Sequence, residues 1–127
     1  MNNSVSCFCG SAIFFQDCCG KYIDGRDKAP TALALMKSRY SAYASHQVDY
    51  LLNTTHSSQR KYYSKAAILN WATTNDWQKL EIISATENTV EFKAYFLDEN
   101  KQNKVHHEFS TFKKENDNWF YVDGKFY

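Results

Sequence analysis

All four cysteines of this 127-residue chain fall within its first twenty residues, at Cys7, Cys9, Cys18 and Cys19. They form two pairs, Cys-Phe-Cys and Cys-Cys, separated by residues 10–17. A Cys-x-Cys pair places two thiols on one turn, and the segment between the pairs can carry the chain back so that four thiols surround one ion. Zinc prefers such a tetrahedral set of thiolates. The spacing therefore predicts a small knuckle in which these four cysteines bind one Zn²⁺.

Two alternatives to a metal site remain, because the thiols could form disulfides or stay unligated. Adjacent cysteines such as Cys18 and Cys19 rarely bond to each other, and the chain has no Cys-x-x-Cys redox motif. Residues 1–6 lack the basic segment and apolar stretch of a secretory signal, and no apolar run approaches the roughly 18–20 residues of a membrane span. We therefore expect a cytoplasmic protein, whose reduced thiols would favour metal over disulfides.

The composition predicts one ordinary domain with a small appendage. Aromatic residues make up 17% of the chain, which supplies enough large side chains to build a core at this length. The formal net charge is +1, with both signs mixed along the sequence. Proteins that bind nucleic acid usually show a basic patch or stripe. Lys21 is the one basic residue within the knuckle, so nucleic acid is not the partner we expect.

A polar linker, Asp24–Lys28, divides the chain into two parts. Residues 1–28 form the zinc knuckle and its linker, and residues 29–127 form a second domain. In the second domain, three helical segments precede a run of alternating segments. Helices followed by strands predict an α+β domain, in which the helices cover one face of an antiparallel sheet of about four strands.

The first helix of the second domain should begin after Thr31, whose hydroxyl can accept a hydrogen bond from an orphan backbone N–H. It should fade near residues 45–47. Two further helices are predicted, over Val48–Asn53 and from Tyr63 to about Thr73. Apolar side chains recur at helical spacing along the first helix, at Leu33, Met36, Tyr40 and Tyr43.

After Asn75 the periodicity changes from helical to alternating. The alternation begins around Leu80 and Ile82. Residues typical of turns separate the alternating segments, so consecutive strands should pair as an antiparallel meander. The later segments cover residues 90–97, 105–112 and 119–123.

The knuckle resembles the SEC-C motif, Cys-x-Cys-x8-Cys-(Cys/His), in two runs, Cys7-Phe-Cys-Gly-Ser11 and Asp17-Cys-Cys-Gly20. That motif also ends many bacterial SecA translocation ATPases, where it binds zinc. SEC-C motifs usually carry Gly-Lys-Lys before their later cysteines, whereas this chain has an apolar run at residues 12–15. The resemblance implies the same four zinc ligands and a knuckle that contacts a protein partner, without the basic surface.

Further segments extend the resemblance over nearly the whole chain. They are Pro30-Thr31, residues 35–43, 49–52 and 54–56, Glu108-x-Ser110-x-Phe112 and Trp119-x-Tyr121-x-Asp123-Gly124. These segments are similar to the uncharacterised bacterial YchJ-like family, which joins a SEC-C knuckle to a nuclear transport factor 2-like domain. The resemblance implies a cystatin-like architecture, a curved antiparallel sheet with helices folded over it.

Three residues are candidates for a pocket in the second domain. Arg39 could bind a carboxylate or phosphate through its fork of donors, or could order the fold. His56 could act as a general base, or could cap a loop. Asp123 could be an acid in the pocket, or the partner of an arginine at a strand end. The chain shows no nucleophile elbow, phosphate-binding glycine loop or paired catalytic carboxylates.

Two other groups have both a functional and a structural interpretation. His106 and Glu108 share a strand face and could form an acid–base pair, although a solvated sheet face would alternate in the same way. A set of aromatic residues could line a cavity, although aromatics at helical and strand spacing are also typical of a core. That set is Tyr40, Tyr43, Trp71, Trp119 and Tyr121.

Two functions are compatible with these features. A binding or adaptor protein would dock a protein partner through its knuckle and expose an apolar patch around residues 8 and 13–15. A small-molecule enzyme, isomerase- or dehydratase-like by analogy with other nuclear transport factor 2-like domains, would use a pocket between sheet and helices. In that enzyme His56 would be the base, Arg39 the anion anchor and Asp123 the orienting acid. Because no catalytic constellation is recognisable, the sequence favours the adaptor.

Overall fold

The computed structural model of this protein describes residues 6–127. The predictions that concern residues 1–5, namely the start of the knuckle and the lack of a secretory signal, lie outside the described residues. Among the helices of the described part, none is long and apolar enough to cross a membrane. Within this range the helices are α1 (Cys19–Ile23), α2 (Ala32–Ala44), α3 (Val48–Asn53) and α4 (Lys65–Thr74), followed by strands β1 (Asp76–Ala85), β2 (Thr89–Leu97), β3 (Asn103–Glu115) and β4 (Asn118–Phe126).

The four strands form one antiparallel sheet in chain order. Register shifts fall at two points in β1, between Trp77 and Lys79 and between Ile82 and Ser84, and at Val122 of β4, opposite Thr111 and Phe112. Such irregularities bend a strand and increase its twist, which curves the sheet. Residues along β2 alternate between buried and half-buried over its whole length, because helices cover one face. The structure confirms the predicted α+β fold with a four-stranded antiparallel meander.

Short polar side chains set where the helices begin. The hydroxyl of Thr31 accepts a hydrogen bond of 3.0 Å from the N–H of Ala34 and caps α2, as predicted. Ser64 caps α4 in the same way, with a bond from Ala67. The third predicted helix therefore begins two residues later than expected from Tyr63. Helix α1, a single turn at the second cysteine pair, was not predicted because its sequence has no apolar periodicity.

Helix α2 supplies the centre of the core. Leu35, Met36 and Tyr40 are buried and belong to one apolar cluster with sheet residues such as Phe92 and Phe112. The opposite side of α2 is also covered, since Ser38 and Ser41 have no exposed surface. Ser38 donates to the carbonyl of Leu35 and contacts the hydroxyl of Tyr50, both at 2.7 Å. A helix buried on several sides must satisfy its polar groups internally, as this one does.

The knuckle lies against α2 rather than apart from it. The sulfur of Cys7 lies 3.5 Å from the hydroxyl oxygen of Ser41. Ile23, at the end of α1, packs against a second apolar cluster that contains Ala42 and Leu51. The division of the chain into independent units at residues 28 and 29 stays a prediction.

One carboxylate is buried under the sheet beside a glycine. Glu108 on β3 is 5% exposed, and Gly124 on β4 pairs with Ser110, two residues further along β3 on the same face. A Cβ atom added to Gly124 would overlap the carboxylate of Glu108. Glycine is required here because a strand backbone approaches a buried side chain closely.

We predict that Gly124→Ala lowers the free energy of unfolding by about 1–3 kcal/mol, because the methyl group overpacks a buried polar cluster. Urea denaturation of the variant and the parent protein measures this difference. Lys125→Ala, at the exposed neighbouring position, is the control and should change stability by no more than about 0.5 kcal/mol. Equal midpoints for Gly124→Ala and the parent would contradict the close contact.

Candidate functional site

The four cysteine sulfurs converge at one point. The Sγ atoms of Cys7, Cys9, Cys18 and Cys19 all lie within 4.8 Å of one another, and all four cysteines are free. The sulfurs of Cys9 and Cys18 are 3.7 Å apart, well beyond the roughly 2.05 Å of a disulfide bond. Three of the four side chains are buried and Cys18 is half-buried. The arrangement is a compact set of thiols that could hold a metal ion.

Local backbone geometry brings the two pairs together. The N–H of Cys7 donates to the carbonyl of Ile13 at 2.8 Å, and the N–H of Gly10 donates to the carbonyl of Cys7 at 3.2 Å. Gly10 has φ +88°, a left-handed conformation that favours glycine. A 3-10 turn over Phe15–Asp17 then places Cys18 just before helix α1. The loop therefore folds back so that Cys18 and Cys19 lie beside Cys7 and Cys9.

The donor set fits a tetrahedral thiophilic metal. Zinc–sulfur bonds of about 2.3 Å imply sulfur–sulfur edges of about 3.8 Å in a regular tetrahedron, close to the spacing found here. Hydrogen bonding from Cys19 and Cys9 lowers the pKa of the Cys7 thiol below its usual range, whereas the hydrogen bond with Cys7 and burial raise the pKa of Cys19, and the pKa of Cys9 is also raised. The hydroxyls of Ser11 and Ser41 contact two of the sulfurs, at 3.2 Å from Cys18 and 3.5 Å from Cys7. Such second contacts orient metal ligands.

An apolar patch lies on the outside of the knuckle. Phe8 is 39%, Ile13 50% and Phe14 47% exposed. The fourth predicted member, Phe15, is half-buried and packs edge-on against Phe8, with ring centroids 5.5 Å apart. We call Phe8, Ile13 and Phe14 the knuckle patch. Ile13 and Phe14 belong to the apolar run of residues 12–15, and Phe8 lies between the first two cysteines.

A cavity of about 210 Å³ lies between α2, α4 and the sheet. Four of the five aromatic residues that the sequence suggested for a cavity line it: Tyr40, Tyr43, Trp71 and Tyr121. Trp119 does not, because its indole N–H points to the carbonyl of Pro30 at 3.3 Å. Burial raises the pKa of Tyr40 to about 12 and raises that of Tyr121 above its usual range. Both hydroxyls therefore remain protonated at neutral pH.

His106 and Glu108 meet inside this cavity. His106 Nε2 donates to one carboxylate oxygen of Glu108 at 2.7 Å, and the hydroxyls of Ser110 and Tyr121 donate to the other, each at 2.7 Å. Burial alone would raise the pKa of Glu108, but these three hydrogen bonds outweigh it and hold the pKa below its usual value. Glu108 is thus ionised at neutral pH, and the predicted pair exists on the buried face rather than a solvated one.

Arg39 lines the same cavity. Its Nη1 donates to the carbonyl of Leu51 at 2.9 Å and to the hydroxyl of Thr54 at 2.7 Å. Its guanidinium lies over the ring of Tyr121, 4.6 Å from the centroid. Arg39 therefore both joins α2 to α3 and faces the cavity.

The other two pocket candidates lie elsewhere. His56 is buried, but outside the cavity lining, against Phe120. Its Nδ1 accepts from the N–H of Ser58 at 3.2 Å. Its Nε2 lies 2.9 Å from a Glu115 oxygen but is not aligned for a hydrogen bond. Asp123 is exposed on β4. The structure thus does not bring His56 and Asp123 to Arg39, and catalytic roles for them stay predictions.

Sequence reasoning did not assign Ser110 to the site. Ser110 is 1% exposed and donates to Glu108. The alternation of Glu108, Ser110 and Phe112 along one strand was a usable signal, because residues two apart share a face. Which face was buried could not be decided from alternation alone.

Comparison with known proteins places the chain in one family. A family model described as the middle nuclear transport factor 2-like domain of YchJ matches residues 31–124. A UPF0225 protein of Geobacter sulfurreducens is 35% identical over 125 residues, which cover 93% of this chain and 77% of the relative. A UPF0225 protein of Photorhabdus laumondii is 38% identical over 125 residues, which cover 93% and 79%.

Two solved structures are similar over the knuckle and the sheet domain together. One is the solution structure of a SEC-C motif containing protein from Rhodopseudomonas palustris, with a TM-score of 0.87 and 33% identity, covering 95% of this chain and 98% of that one. The other is the crystal structure of a SEC-C motif containing protein from Psychrobacter arcticus, with a TM-score of 0.82 and 33% identity, covering 97% and 84%. The chain belongs to the YchJ (UPF0225) family, whose nuclear transport factor 2-like domain here follows a SEC-C cysteine cluster.

Proposed function

We propose that this protein is a zinc-binding adaptor, in which one Zn²⁺ held by Cys7, Cys9, Cys18 and Cys19 fixes the knuckle that docks a protein partner. The observation that carries the proposal is the convergence of four free thiols within 4.8 Å. Their spacing suits zinc, and four thiolates complete its tetrahedron. With no coordination position left for a substrate, the metal has a structural role.

Backbone hydrogen bonds link the cysteine loop to the residues of the knuckle patch. Ile13 accepts the hydrogen bond of the Cys7 N–H, and Phe14 forms an isolated antiparallel bridge with Ser6. The backbone that carries the patch is therefore tied to the first cysteine pair. Three large apolar side chains on a short loop are typical of a protein contact. We propose that the partner presents an apolar surface, because Ile13 and Phe14 replace the lysines of other SEC-C motifs.

We predict about one zinc per chain in the untagged protein purified under reducing conditions, as a four-thiolate site requires. Elemental mass spectrometry measures the metal, and a thiol reagent after denaturation counts the cysteines. Release of zinc together with four titratable thiols supports the proposal. A metal-free protein with fewer than four titratable thiols would contradict it, since that result indicates disulfides.

We predict that Cys18→Ser loses most of the zinc, because three thiolates leave the site open, but keeps the main thermal transition of residues 31–127. Zinc content and a thermal melt monitored by near-ultraviolet circular dichroism measure the two effects. Ser11→Ala removes the hydroxyl beside Cys18 and leaves all four ligands, so it is the matched control. It should retain zinc with affinity weakened by about 10–100-fold. Loss of the main transition in Cys18→Ser would show that knuckle and domain fold as one unit.

We predict that a photo-crosslinking amino acid at Phe14 captures a partner that the same group at Tyr62 does not. Tyr62 is 69% exposed and lies in a 3-10 turn between α3 and α4, outside the knuckle, so it controls for nonspecific capture. Ile13→Asp in the Phe14 crosslinking protein should abolish the adduct while zinc content stays the same. Identical adducts from both positions, or adducts that survive Ile13→Asp, would contradict docking through the knuckle patch.

A further inference from the structure

The cavity beneath the sheet has the shape of a site for a compact ligand. Tyr63, Trp71 and Phe126 line it and are also exposed, so they surround its mouth. Its inner wall is apolar and includes Phe92 and Ala94. A volume of about 210 Å³ is below the roughly 300–1,000 Å³ of sites for drug-sized ligands. The ligand that fits is small, with an apolar body about the size of one aromatic ring.

The negative charge in the cavity is already compensated. Glu108 accepts hydrogen bonds from His106, Ser110 and Tyr121, which occupy both of its oxygens. His106 forms an ion pair with it when protonated. A cationic ligand would have to replace these short bonds, so Glu108 is a poor anchor for one.

The positive charge of Arg39 faces the ring of Tyr121 but no carboxylate in the described part of the chain. Within residues 6–127, no carboxylate lies within 4.0 Å of its guanidinium, and its hydrogen bonds all come from Nη1. The Nε and Nη2 donors of this half-buried side chain are without an acceptor in the same range. A guanidinium with two adjacent free N–H groups matches the two oxygens of a carboxylate.

We propose that the cavity binds a small apolar monocarboxylic acid, with its carboxylate on Arg39 and its ring or branched chain against Phe92 and Ala94. One arginine balances a single negative charge. A dianionic phosphate would bring excess negative charge near Glu108, which disfavours it. This inference uses none of the knuckle residues, and it holds or fails independently of the zinc-binding adaptor.

The three tryptophans provide an internal test. Trp71 and Trp77 line the cavity, whereas Trp119 lies outside the lining. Phenylacetate is the acid probe and phenylacetamide its neutral counterpart of nearly the same shape. We expect phenylacetate to shift the indole N–H resonances of Trp71 and Trp77 but not that of Trp119 in proton–nitrogen spectra. Binding of the acid should be at least about tenfold tighter than binding of the amide, as a charge-assisted bond implies.

Two variants separate the anchor from the apolar wall. Arg39→Met should bring the acid and amide affinities to within about twofold, whereas Lys37→Met, which removes a cation two residues earlier on α2, should leave the preference unchanged. Ala94→Leu fills the wall without touching Arg39 and should weaken both probes at least about tenfold. If Arg39→Met does not fold, the parent preference and Ala94→Leu still decide the question. Equal affinity of the parent protein for acid and amide, or equal shifts of all three indoles, would overturn the proposal.

Discussion

The burial of helix α2 on several sides is the constraint on which the other parts of the structure depend. One side of α2 packs on the sheet through Leu35, Met36 and Tyr40. Another side contacts the knuckle, where Ser41 meets Cys7. Arg39, on the side of α2 that carries Leu35 and Met36, lines the cavity. A helix enclosed in this way is buried beyond one apolar stripe, and its buried positions include serines as well as large apolar residues.

The polar side chains of α2 are compatible with its burial because they form hydrogen bonds within the protein. A buried hydroxyl without a partner costs free energy, so each one needs a local acceptor. Ser38 donates to the carbonyl of Leu35. Nη1 of Arg39 donates to the carbonyl of Leu51 and the hydroxyl of Thr54, at the end of α3. These hydrogen bonds join α2 to α3 through Nη1, and the Nε and Nη2 atoms of the guanidinium take no part in them. The same residue thus orders the helices and, within residues 6–127, keeps Nε and Nη2 without an acceptor, so its structural role does not exclude a functional one, which stays a prediction.

The sequence predicted the helices and strands better than it predicted which of their side chains pack together. Helix α3 and the cap at Thr31 followed from local chemistry, and the meander followed from alternation with turn residues, because these signals act over a few neighbours. The four cysteines were recognisable since their spacing alone limits where their thiols can lie. The sequence left His56 as either a pocket base or a loop cap. The structure places it outside the cavity, buried and accepting from the N–H of Ser58, and the sequence alone could not decide this because the position of a loop residue depends on contacts distant in sequence. The burial of Glu108 was equally invisible, since the alternation of β3 does not say which face the helices cover.

Glu108 and its three hydrogen-bond donors, His106, Ser110 and Tyr121, line the cavity. An ionised carboxylate inside a core is tolerated only when donors surround it, and here β3 supplies two donors and β4 the third. The contact demands a glycine at position 124, where a side chain would displace the carboxylate. Glu108, Ser110 and Tyr121 line the cavity together with Arg39, so a compensated carboxylate and a guanidinium are the charged groups on a wall that is otherwise largely apolar.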